Sequence, residues 1–156
     1  NDVEAHERPS LVYNSVQRNM NARQEEYARK IFELAQQEGI ELMLIGMPNP
    51  DYAHDHMYYN ALWALAEEYG ISGINYNDPS LRFGLRYSSD FADWQHLNVK
   101  GSVTFSRKLG ADLMERYDLP DRRGDARYGS YADSAAQWYE QYPMFIPQEK
   151  EGVKNP

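Results

Sequence analysis

Between residues 90 and 101 the chain reads Asp90-Phe91-Ala92-Asp93-Trp94-Gln95-His96-Leu97-Asn98-Val99-Lys100-Gly101. An aspartate stands three residues before a histidine, and an Asn-x-x-Gly follows at the head of a long helical pattern. Imidazole serves as a general base when something fixes its tautomer and stabilises the cation it becomes, and a carboxylate on the far ring nitrogen does both. Asp93 and His96 are close enough in sequence to form that pair within one turn of loop. The plainer alternative is an aspartate that caps the following helix beside a surface histidine, since such short spacings also arise by chance. Trp94 either excludes water from the pair or belongs to the core. Asn98 is placed to cap the helix, and Gly101 to let its first turn pack closely.

Other residue types offer less. His54-Asp55-His56 has the composition of a metal site, but two histidines two residues apart project to different sides of a helix, and no Cys or further His completes a set. The triplet reads better as a polar helix start, with His54 or His56 near a substrate entrance. Ser80, Ser88 and Ser89 lie in loops, and Ser10 and Ser15 in the lead-in. None has the Gly-x-Ser-x-Gly setting of a nucleophile, so each reads as an ordinary hydroxyl.

The elements that must position these groups alternate between helix and strand. From 22 to 37, Tyr27, Ile31, Leu34 and Ala35 recur at helical spacing with Phe32 beside them, so an amphipathic helix is expected, closed by Gly39 and capped by Asn14, Asn19 or Asn21. The run 40–46, Ile-Glu-Leu-Met-Leu-Ile-Gly, predicts a buried parallel strand covered by helices on both faces. Met47-Pro48-Asn49-Pro50 forms a turn at its carboxyl end, where α/β sheets place ligand loops. A second helix is expected over 55–69, with Met57, Ala61, Leu62, Leu65 and Ala66 on one side, and a second strand over 71–76. Together they make one βαβ unit. Residues 77–92 read as loop. A final helix over 98–117, with Val99, Val103, Phe105, Leu109, Leu113 and Tyr117 available for packing, stops at Leu119-Pro120. The remainder to 156 holds Tyr128, Tyr131, Trp138, Tyr139, Tyr142 and Phe145, aromatics able to wrap the domain or cover a partner, and disorder is expected from 148 onward.

At 156 residues the chain suits one domain with a real core, and 42% hydrophobic with 13% aromatic residues excludes a wholly disordered protein. A net charge of −8, with basic residues scattered, argues against nucleic acid as partner, because phosphate contacts need a basic face. Cysteine is absent, so disulfides and thiolate chemistry are excluded. No run reaches the ~18 apolar residues that span a bilayer, and the first residues lack a signal peptide's pattern.

Taken together, the Asp-Trp-Gln-His-Leu-Asn-Val-Lys-Gly string, Phe105-Ser106 and the helix from Leu109 to Tyr117 resemble the last block of the SGNH (GDSL-like) hydrolases. The likeness is greatest to the branch of the D-alanyl transfer protein and related cell-envelope acyltransferases. It runs from Pro9 to Tyr142 and is specific around His96. It implies a three-layer α/β/α, flavodoxin-like (SGNH hydrolase-type) fold with a parallel sheet, of which this chain is the C-terminal portion: 1–17 an extended lead-in, 18–118 the α/β part, and 119–156 the aromatic tail. The catalytic residues carried over are Asp93 and His96. The family's nucleophilic Ser and its Gly and Asn oxyanion donors have no counterpart in the matching stretch, so the Ser is expected upstream and the chain alone is expected to be inactive or nearly so. No cofactor and no metal are implied.

The resemblance further implies an ester or acylated glycan as substrate, a membrane-bound O-acyltransferase as working partner, and an extracytoplasmic location tethered through an upstream segment. A small sheet exposes a strand edge through which a homodimer could pair. Two rivals stand beside this reading: a noncatalytic accessory module that binds glycan or protein through its aromatic tail, and a flavodoxin-like domain in which Asp93 and His96 are structural.

Overall fold

A computed structural model describes residues 18–49, 52–78, 80–81, 83–93 and 95–145, with side chains from His56 onward in the helix that begins at Tyr52. The lead-in, Trp94, the side chains of His54 and Asp55, and the tail from 146 lie outside the described residues. The element order is α1 (Ala22–Gln37), β1 (Met43–Gly46), α2 (Tyr52–Glu68), β2 (Ser72–Asn75), α3 (Tyr87–Asp90), α4 (Val99–Arg116) and α5 (Gly129–Gln141), the last flanked by 3-10 turns at Ala126–Tyr128 and Pro143–Phe145. The architecture is mixed α/β, with a two-stranded parallel sheet among the described residues. Two compact units divide within α4, one ending at Phe105 and the other beginning at Ser106.

In the first unit, Asn21 caps α1 reciprocally. Its side chain accepts the Gln24 N–H at 2.9 Å while the Gln24 side chain accepts the Asn21 N–H at 3.3 Å. A cap of this kind is worth about 1 kcal/mol. Gly39 ends the helix at φ 64°, a conformation that a Cβ disfavours.

The bounds of α1 match the periodicity, but the buried stripe does not. Phe32 and Ala35 are buried, whereas Tyr27, Ile31 and Leu34 are 52%, 56% and 56% exposed. The stripe Ala28, Phe32, Ala35 lies one residue, or ~100°, around the helix from the expected one. Its small residues let α2 approach, so the Phe32 ring can pack on Leu65 and Ala66 and meet Tyr69 edge-on at 5.5 Å. Burying one such ring contributes about 2–3 kcal/mol.

The sheet is shorter and more open than the apolar run 40–46 suggests. Ile40 is 60% exposed and precedes β1, and Ile45 within β1 is 37% exposed. The strands are joined through α2 and pair in register Met43↔Ser72, Leu44↔Gly73, Ile45↔Ile74, Gly46↔Asn75. A parallel pair needs such a crossover connection. Leu44 joins the Phe32 cluster, so by alternation Ile45 and Ile74 face the other way. There, beyond the end of β2, the Tyr76 ring meets Phe105 at 5.0 Å and Phe83 at 5.6 Å.

At the carboxyl ends of the strands the two following loops are tied by amides. Asn77, buried, donates through Nδ2 to the Met47 carbonyl at 2.7 Å and to Asn75 Oδ1 at 3.1 Å, while its own Oδ1 accepts the Asn49 N–H at 2.7 Å.

The second unit carries a helix in the aromatic stretch, where the sequence pattern announced no element. Residues 129–141 form α5, because Ala132, Ala135 and Ala136 favour helix and Trp138 meets Tyr142 one turn on, ring centroids 5.1 Å apart. Phe145 closes on Trp138 at 5.9 Å, and its carbonyl accepts a hydrogen bond from Arg107 Nη2 at 3.1 Å. The aromatics of this stretch pack first on one another.

Candidate functional site: an aspartate–histidine loop

Loop 77–92, expected to be irregular, contains the short helix α3. Its last residue, Asp90, starts the site. Two stems leave from there: Phe91 and Leu97 form an antiparallel bridge, Ala92 N–H donates to the His96 carbonyl at 2.8 Å, and Asn98 N–H donates to the Asp90 carbonyl at 3.0 Å. Residues 91–97 are thereby closed into a narrow loop with Asp93 and His96 toward its tip.

Asp93 folds back on that tip. Its Oδ1 accepts the N–H groups of Gln95 at 2.9 Å and His96 at 2.8 Å, the local turn an aspartate favours. The same carboxylate faces the imidazole, with His96 Nδ1 lying 2.9 Å from Oδ1 and 2.8 Å from Oδ2. The Gln95 N–H, then the His96 ring and the His96 N–H, hold the Asp93 carboxyl down to about 2 from its ordinary 3.8. It is therefore ionised at neutral pH and can only accept hydrogen bonds, so Nδ1 carries the proton and Nε2 presents its lone pair. That is the tautomer of a general base. The side chains are 74% and 52% exposed, so water screens the pair and the loop tip is open to a reactant.

Beneath the tip sits the one fully buried large side chain among the described residues, Asp90, 1% exposed. Its Oδ2 accepts the Arg86 N–H at 2.8 Å. Its Oδ1 accepts the Ser89 hydroxyl at 2.8 Å and pairs with Lys100 Nζ at 2.7 Å. Burial pushes this carboxyl up, but Lys100, the Arg86 N–H and the Ser89 hydroxyl outweigh it and hold the group below its ordinary range. Asn98 both caps α4, accepting the Gly101 N–H at 3.0 Å, and donates to the Ser89 carbonyl at 2.8 Å. Gly101 is required by contact: a Cβ there would be driven into the Asp90 carbonyl oxygen and would lie 3.0 Å from the Leu97 side chain.

The pair singled out from sequence, Asp93 and His96, is thus brought together. Asp90 and Lys100 were not singled out, because nine intervening residues separate two charges whose common burial no local pattern announces. Ser89, read as an ordinary loop hydroxyl, bonds Asp90 and accepts from Lys100 at 3.2 Å. Among the described residues no serine hydroxyl bonds His96. His56 is buried within α2, away from a solvent-facing entrance. Among the described residues no group of three His, Cys, Asp or Glu is arranged to hold a metal ion, and no helix is long and apolar enough to cross a membrane. Comparison with protein-family models, curated proteins and solved structures finds no match to this chain.

Proposed function

We propose that Asp93 and His96 form the general-base half of a Ser-His-Asp acyl-transfer site of the SGNH hydrolase type, acting on an ester or acylated glycan of the cell envelope. The observation that carries this reading is the Asp93 carboxylate on His96 Nδ1, which leaves Nε2 open as a base at an exposed loop tip. The nucleophilic serine comes from outside the described residues. Its hydroxyl gives its proton to Nε2 as Oγ attacks the acyl carbonyl, and the imidazolium, stabilised by Asp93, returns that proton to the departing alcohol. Water or a polymer hydroxyl then takes the acyl group by the reverse path.

In this reading the chain is part of a three-layer α/β/α, flavodoxin-like fold. The parallel pair joined through α2 and the uncovered stripe Tyr27, Ile31, Leu34 support it. The test is p-nitrophenyl acetate hydrolysis by this chain and by the full-length gene product, each with and without His96→Ala. The chain alone should be nearly inactive, and the longer product should depend on His96. Turnover indifferent to His96→Ala in both would sink the proposal.

A second reading, a binding module, draws on the second unit. Tyr128, Tyr131, Arg122 and the small residues Gly124, Ala132 and Ala135 line a cleft of about 610 Å3, within the size range of ligand sites. Tyr131 is 74% exposed, and the Arg122 guanidinium stacks over Tyr128 at 5.8 Å. Glycan binding lost with Tyr131→Ala but kept with Asp93→Ala would favour this reading over the enzyme.

A further inference from the structure

We propose that Asp90, clamped by Lys100, is the positioning residue of the site: it locks the two stems of loop 91–97 together and so holds Asp93 against His96. The inference rests on the general-base reading of His96 for its functional meaning.

Among the described residues, no hydrogen bond ties Asp93 or the His96 ring to anything beyond the loop itself, and both side chains are largely exposed. The orientation of the tip therefore follows from where the stems enter. Both stems converge on Asp90. Its carbonyl accepts the Asn98 N–H, and Gly101 packs against that same carbonyl. Its carboxylate ties the start of α3 through Arg86 N–H and the first turn of α4 through Lys100, while Asn98 reaches back to the carbonyls of Ser89 at 2.8 Å and Phe91 at 3.4 Å.

A buried carboxylate is a costly way to hold a chain, since apolar packing of similar volume often serves stability as well or better. What the charge adds is direction. Lys100, Ser89 and Arg86 N–H satisfy its oxygens in one geometry, and that geometry sets the angle between α3 and α4 from which the loop springs. Reactive pairs held about 1 Å out of place lose on the order of 100-fold in rate.

The experiment reads the imidazole directly. In protein labelled with 15N-histidine, the ring nitrogen shifts of neutral His96 report the tautomer. The wild type should be predominantly Nδ1–H, whereas an unrestrained histidine side chain favours Nε2–H. Lys100→Met should shift His96 toward the unrestrained mixture with far-UV circular dichroism unchanged, Asp90→Asn should do the same, and Lys100→Arg should restore the wild-type ratio. If Asp90→Asn fails to fold, Lys100→Met, at a half-exposed position, carries the test. A wild-type tautomer ratio in folded Lys100→Met overturns the proposal. So does loss of the whole fold in Lys100→Met, because the pair would then hold the domain rather than the loop. Ester hydrolysis insensitive to His96→Ala refutes the general-base reading alone, while the tautomer ratio still judges the clamp.

Discussion

Two glycines of α4 should respond to alanine with opposite signs. Gly110 has no heavy atom within 4 Å of the place a Cβ would occupy, so Gly110→Ala meets open space. Helix propensity and the loss of unfolded-chain entropy then stabilise the protein by about 0.5–1 kcal/mol. At Gly101 the same propensity gain applies, but the new Cβ runs into the Asp90 carbonyl. If the helix stays in place, the overpacking costs about 1–3 kcal/mol. If its first turn backs away, the Asn98 N–H bond to Asp90 and the Gly101 N–H bond to Asn98 are stretched, at about 1 kcal/mol each. Either route exceeds the propensity gain, leaving Gly101→Ala destabilised by about 1–2 kcal/mol. Urea unfolding followed by far-UV circular dichroism gives the comparison as a midpoint shift of opposite sign for the two variants. A Gly101→Ala protein as stable as Gly110→Ala would refute the claim that Gly101 exists for close approach to Asp90, and with it the tight seating of α4 on the loop stems.

Two further outcomes follow from the same geometry. Asp93, depressed to about 2 by the amides of Gln95 and His96 and by the imidazole, contributes stabilisation that is complete above its unfolded pKa and is lost as the pH falls through about 2. The 13C carboxyl shift of Asp93 should therefore titrate near pH 2, and in Asp93→Asn the His96 ring should lose its Nδ1–H preference. Asn77→Ala takes bonds from the Met47 carbonyl and the Asn49 N–H at the carboxyl edge of the sheet. It should cost about 1–3 kcal/mol in urea unfolding, with exchange protection at Asn49 falling most.

The candidate site was half legible. Asp93 and His96 lie three residues apart, so one turn of backbone can bring them together, and the turn that does so is one an aspartate favours wherever it stands. Asn98 and Gly101 were readable in the same way, as a cap and a glycine one helical turn inside. Asp90, Lys100 and Ser89 were not. An aspartate in a serine-rich loop looks solvated, and its burial depends on α3, a four-residue helix with no periodicity to announce it. α5 escaped for a related reason: its alanines and aromatics carry no strong apolar stripe, and its Trp138–Tyr142–Phe145 contacts exist only once the helix has formed.

From its sequence alone, the protein's local decisions were legible: α1 from an asparagine cap to Gly39, the strand–helix–strand order, and the approach of Asp93 to His96. These rest on hydrogen bonds and backbone preferences that span a few residues. Only the tertiary structure decided which stripe of α1 is buried, how short the sheet is, that Gly101 packs on the Asp90 carbonyl, and that Asp90 rather than Asp93 carries the buried charge. Each of those depends on a surface or a counter-charge supplied from a distant part of the chain, which no window of neighbouring residues contains.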